Sequence, residues 1–97
     1  MKAIFQATNF KADPKLLSFI QKKLDRLDNF FDKVIEADVY LKVNNSGDKN
    51  KTLEVKINVP GNSIVVSRDA ETFEKAMDLV YDVLKRQLRK QKEKLKN

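Results

Sequence analysis

Three stretches of this 97-residue chain set their side chains on two faces at a period of two, a short fourth centres on Ile64–Val65–Val66, and two longer ones repeat apolar residues every three or four positions. An alternating stretch has one apolar face only as a strand, and a three-to-four repeat closes into one stripe only as a helix. The order of these segments therefore limits the fold more than any other feature. Ala3, Phe5 and Ala7 share one side of a first strand over Lys2–Thr8. Asp13 and Pro14 suit the cap and first turn of a helix running to about Phe31, with Leu16, Ile20, Leu24, Leu27 and Phe31 as its stripe. Val39, Leu41 and Val43 alternate through a second strand over Glu36–Asn44. Leu53, Val55, Ile57 and Val59 do so through a third over Lys51–Val59, and Ser63–Ser67 makes a short fourth. Polar turns at 44–50 and 60–62 separate them. Asp69 is expected to cap a second helix with the stripe Phe73, Met77, Val80, Leu84 and Leu88, continuing to about Lys94. The fold class follows. It is α+β in the order β-α-β-β-β-α, a two-layer sandwich whose four-stranded, mostly antiparallel sheet carries both helices on one face.

At this length residues 1–97 are expected to form a single domain. The chain contains neither Cys nor His. That removes disulfides, thiolate nucleophiles, Cys-based zinc sites and the commonest general base. Its two glycines, Gly47 and Gly61, cannot make a phosphate-cradling loop. Asp25, Asp28 and Asp32 line one flank of the first helix beside lysines and read as a solvated face rather than a metal or acid–base site. No enzyme activity, metal, cofactor or small-molecule substrate is expected. No apolar run approaches the ~18 residues of a membrane span, and "MKAIFQATNF" lacks the apolar core of a secretory signal. A cytoplasmic protein without a membrane partner is expected.

Charge is where the chain is unusual. Its net charge is +6, and Lys85–Asn97 alone holds seven Lys or Arg against one Glu. The preceding residues balance, with 13 Lys and Arg against 13 Asp and Glu. Cations suit a helix C-terminus, but that benefit acts within the last turn, and this run spans more than three. Lys85, Arg89, Lys92 and Lys96 fall within about 60° of arc, where like charges repel. Intramolecular stability does not explain such a run; a polyanion that releases counterions does. A helix reaching Lys94 would be about 37 Å long, against a radius of gyration of about 13 Å for a domain this size. The end at 85–97 is therefore expected to project beyond the body or fray. On the first helix Lys15, Lys22, Arg26 and Lys33 fall within about 40° of each other, with Lys23 nearer the apolar edge. No aromatic residue follows Lys85, so phosphate and ribose contacts to structured RNA, reading shape rather than bases, are expected. Two other readings stay open: a general binder of double-stranded RNA, and a protein-interaction module with an acidic partner.

Two motifs resemble a known family. "KKLDRLDNFFDKV" (Lys22–Val34) is similar to the first-helix signature of the ribosome hibernation promoting factors, a basic-Leu-x-basic-Leu pattern followed by an aromatic. "AMDLVYDVLKRQLRKQKEK" (Ala76–Lys94) is similar to their second helix, with its Leu-x-Arg-Gln-Leu-x-Lys ending. The element order agrees, and the resemblance covers essentially the whole chain. It points to a short-form member of the hibernation factor and ribosome-associated inhibitor family, sometimes labelled sigma-54 modulation proteins. The resemblance implies a sandwich like that of double-stranded-RNA-binding domains. It also implies a translation regulator on the small ribosomal subunit, in contact with its rRNA, in the channel of mRNA and the A- and P-site tRNAs. Idle ribosomes would be kept inactive there by steric occlusion, in stationary phase and under stress, with a ribosome-dimerising factor as a further candidate partner. Lys23 and Arg26 match the first-helix basic positions, and Arg86, Gln87 and Lys90 the second-helix motif. Charge and helical phase add Lys22, Lys85 and Arg89. The family often has Asp and, two residues on, Tyr at the start of the second helix; here Thr72 and Glu74 stand there. No role of that pair is carried over.

Overall fold

A computed structural model describes residues 1–34, 36–44 and 47–95. Its elements are β1 (Ala3–Thr8), α1 (Pro14–Leu27), β2 (Glu36–Val43), β3 (Lys51–Val59), β4 (Asn62–Ala70) and α2 (Phe73–Leu95). The β-α-β-β-β-α order is as the hydrophobic periods require. The strands lie in the order β1-β2-β3-β4. β1 runs parallel to β2 because α1 carries the chain back across the sheet between them; the two remaining pairs are antiparallel. The sheet is thus mixed and mostly antiparallel.

Register explains the core. Phe5, Val39, Val55 and Val66 form one cross-strand row, and Ala3, Ala37, Ile57 and Ile64 the next. Side chains alternate across a strand, so these rows share one face. Ile20, Leu24 and Leu27 of α1 and Met77, Val80, Leu84 and Leu88 of α2 are fully buried with them in a single cluster. Both helices therefore cover one face of the sheet. The other face carries Ile4, Tyr40 and Val65, all exposed, among charged neighbours of both signs.

Three boundaries differ from expectation. The α1 ladder ends at Leu27 rather than Phe31. The backbone tightens there: the amides of Asp28, Asn29 and Phe30 each donate to the carbonyl three residues back. Phe31 stays buried, but Lys33 leaves the basic flank of the helix. β4 runs on to Ala70, so Asp69 is a strand residue, and its carboxylate accepts a 2.6 Å hydrogen bond from the Thr52 hydroxyl. The cap of α2 is Thr72, whose hydroxyl oxygen accepts from the Lys75 amide at 3.1 Å. The hairpin turn after β3 is as expected, with Gly61 at φ +72°, a conformation that costs other residues about 1 kcal/mol. Of the preceding polar turn, Asn45 and Ser46 lie outside the described residues.

The acidic flank of α1 has a use that its sequence did not suggest. The Met1 ammonium donates to Asp25 at 3.0 Å and to Asp28 at 2.6 Å, and the Gln21 amide donates to both Asp25 and the Met1 carbonyl. The hydrogen bond to Asp28 raises the ammonium pKa above its ordinary 8.0; burial opposes it less strongly, and the hydrogen bond to Asp25 adds a smaller rise. The Gln21 amide, then the ammonium, lowers the Asp25 carboxyl below its ordinary 3.8. A raised cation stabilises below its unfolded pKa and loses that contribution as pH rises through the folded one; a lowered acid behaves oppositely. The clasp is therefore whole between about pH 4 and pH 8 and weakens outside that window. Unfolding midpoints of wild type and Asp25→Asn, followed against pH, are expected to differ most inside the window and to converge on both sides. A constant difference across pH would show that Asp25 stabilises without the ammonium.

Candidate nucleic-acid interface

α1 and α2 lie side by side on the sheet. The seam between them decides which cations face outward. Lys23 projects from α1 into this seam. Its ammonium lies 3.0 Å from the Asp78 carboxylate of α2, 5.3 Å from the Tyr81 ring centre and 5.8 Å from that of Phe19. Only 22% of its side chain is accessible, against 60% for Asp78. Lys23 thus ties the two helices together in the free protein. Lys22 and Arg26, one step further round α1, are exposed.

On α2 the buried stripe of Val80, Leu84 and Leu88 continues to Gln91, which is 8% exposed. The Gln91 side-chain oxygen accepts from the Asn62 amide at 3.3 Å, so the β3–β4 hairpin holds the helix beyond its last fully buried leucine. At 100° per residue Lys85, Arg89, Arg86 and Lys90 then follow one another round the uncovered side over about 140°. Lys85 is half-buried and the other three are exposed. Among the described residues no carboxylate comes within 4 Å of any of the four. Their chemistry is that of cations held on one helix, suited to phosphate. Gln87 points some 160° away from Arg89. It lines a groove of about 380 Å³ against β4, with Val83 and Arg68. The structure therefore brings Lys85, Arg86, Arg89 and Lys90 onto one surface, sets Lys22 and Arg26 on the neighbouring helix, and turns Gln87 away from Lys85 and Arg89. Lys92 and Lys94 continue the run and are exposed; Lys96 and Asn97 lie outside the described residues.

One residue was missed. Phe30, in the turn after α1, reaches the basic side of α2. The Lys85 ammonium lies 4.9 Å and the Arg89 guanidinium 5.3 Å from its ring centre. Both distances are in the range of a cation–π contact. The basic run thus has an aromatic neighbour supplied by the other helix. The only signal in the sequence was the aromatic that closes the first-helix signature.

The model of a protein family described as "Sigma 54 modulation protein / S30EA ribosomal protein" matches residues 3–96. The chain belongs to this family. A ribosome hibernation promoting factor of Pseudomonas putida is 34% identical over 79 residues, covering 81% of this chain and 74% of that protein. A ribosome hibernation promotion factor of Deinococcus radiodurans is 33% identical over 84 residues, covering 84% of this chain but 44% of its relative. The chain thus spans less than half the length of that relative. A solved ribosomal subunit interface protein from Coxiella burnetii superposes with a TM-score of 0.84 over 95% of this chain and 98% of its own. At 22% identity that likeness establishes the fold. The structure also divides the labour within the Leu-x-Arg-Gln-Leu-x-Lys ending. Leu84 and Leu88 are core, Arg86 and Lys90 are outward cations, and Gln87 faces β4. The two positions that the motif leaves open are Lys85 and Arg89, the pair that meets Phe30.

Proposed function

We propose that this protein is a non-enzymatic translation regulator that binds the small ribosomal subunit through the outward cations of α2, flanked by Lys22 and Arg26 of α1. The observation that carries the reading is the arc of Lys85, Arg89, Arg86 and Lys90, without a carboxylate partner among the described residues, on a body, residues 1–84, that is neutral. Like charges packed so closely gain nothing from one another. They gain from rRNA phosphates through charge-assisted hydrogen bonds and released counterions. Relatives named as hibernation factors support the ribosome as partner. In this reading the sandwich fills the channel of mRNA and the A- and P-site tRNAs and keeps idle ribosomes inactive by occupying it. The mechanism needs no metal, cofactor or bond-making step, and it operates in the cytoplasm, where ribosomes are. Among the described residues no helix is long and apolar enough to cross a membrane.

Sucrose-gradient sedimentation with purified ribosomal subunits tests it. The protein is expected to travel with the small subunit and to stay there when excess duplex RNA is added. Displacement by duplex RNA in proportion to its concentration would make it a general duplex binder. Binding that survives complete RNase digestion would make its partner an acidic protein.

A further inference from the structure

We infer that Phe30 is a positioning residue for the interface: it holds Lys85 and Arg89 in a phosphate-ready arrangement before RNA arrives. The inference deepens the small-subunit reading and rests on it. Long basic side chains are poor binders while they are free to rotate, because each must lose rotamer entropy on contact. Among the described residues two of the four α2 cations of the arc, Arg86 and Lys90, have no carboxylate or aromatic partner that would order them, whereas Lys85 and Arg89 share Phe30. Lys85 and Arg89 lie one turn apart on α2, at 4.9 and 5.3 Å from the same ring centre. A carboxylate would order them too, but it would neutralise the charge that phosphate needs. An aromatic ring orders a cation and leaves its charge in place. Lys23 shows the other outcome on the same pair of helices: it too lies over rings, those of Tyr81 and Phe19, but its ammonium is also ion-paired to Asp78. The two lysines differ in the carboxylate: the end of α1 offers Lys85 a ring alone.

The turn that closes α1 makes this possible. Had the α-helical ladder run on to Phe31, the side chain of residue 30 would have stayed on the helical path. Three successive bonds to carbonyls three residues back redirect the chain at Asp28–Phe30. Phe31 enters the core, and Phe30 stays half-buried beside the cations. Phe30 thus differs from its neighbour in location and in task, although the two residues are identical in type.

The test is a double-mutant cycle read as affinity for purified small subunits. Phe30→Leu keeps the apolar bulk and removes the π face. It is expected to weaken binding about five- to tenfold, from two side chains that must now be ordered on contact. In a Lys85→Ala/Arg89→Ala background the same substitution is expected to change nothing, because the side chains it would order are gone. Phe30→Tyr, which restores a π face, is expected to bind like wild type. Circular dichroism and the unfolding midpoint of each variant report folding separately. Phe30→Leu binding as tightly as wild type would overturn the inference. So would an equal loss in both backgrounds, which would mean that Phe30 touches the subunit directly or that its loss acts through stability. If wild type itself fails to bind small subunits, the functional reading falls and this inference with it. If wild type binds and the cycle shows no coupling, only the role of Phe30 falls.

Discussion

Replacing Arg86, Arg89 and Lys90 together by alanine is expected to release the protein from the small ribosomal subunit at physiological salt and to leave the fold intact. All three side chains are exposed and, among the described residues, unpaired with carboxylates, so their loss opens no cavity. Alanine is the best helix former, and removing three like charges relieves repulsion along α2. The folded protein should be no less stable than wild type by its unfolding midpoint. Binding behaves differently. If about six phosphates are neutralised, affinity falls about a thousandfold between 50 and 200 mM salt. Removing three of those contacts flattens the slope of log affinity against log salt by about 2.7. Binding measured across that salt range reads both quantities. An unchanged slope with weakened binding would mean that these cations do not meet phosphate, and a slope that is shallow from the start would remove rRNA phosphate as the main contact.

Leu88→Ala is the second large effect, and it acts on stability. Leu88 is fully buried among the sheet residues, and it sits between Arg86 and Arg89 in sequence. Truncating a buried leucine to alanine costs about 2–5 kcal/mol, from lost burial and from the cavity left behind. A domain of this size has about 5–15 kcal/mol in all, and each kcal/mol moves its melting point by about 4–8 °C. Thermal unfolding is expected to shift down by roughly 10 °C or more. Binding to the small subunit, assayed well below the new midpoint, should survive, because the outward cations remain. A melting point within about 2 °C of wild type would show that the end of α2 is not docked on the sheet as described. Taken with the triple alanine variant, this result would separate the two halves of the Arg-Gln-Leu motif, one electrostatic and one apolar.

What could be seen in the sequence depended on how local the cause was. β2 and β3 bury Val39, Leu41, Leu53, Val55, Ile57 and Val59 as their alternation requires, since a period of two needs no knowledge of the rest of the chain. β4 was read too short because Arg68 and Asp69 carry no strand signal of their own. They are held in the sheet by β3, where Leu53 pairs with Arg68 and the Thr52 hydroxyl meets Asp69. The same error misplaced the cap of α2, since an Asp next to a helix looks like a cap until a strand claims it. Among the candidate binding residues, helical phase alone grouped Lys85 and Arg89. It could not show that Lys23 is drawn into the seam by Asp78, or that Gln87 turns toward β4, because both depend on a neighbour far away in sequence. Phe30 was hidden for the same reason: its partners lie on the other helix.

The parallel pairing of β1 with β2 has a consequence for how the chain is assembled. β2, β3 and β4 are a meander joined by short turns, so their contacts close small loops and form early. β1 reaches its partner only across the whole of α1, with Ala3 set against Ala37, and none of its residues is fully buried. It is therefore expected to dock last and leave first. When it leaves, the edge of β2 is bare, and the same strand from another molecule fits there as well as its own. The Met1 clasp on Asp25 and Asp28 stands at the start of that strand, where it raises the cost of such an exchange.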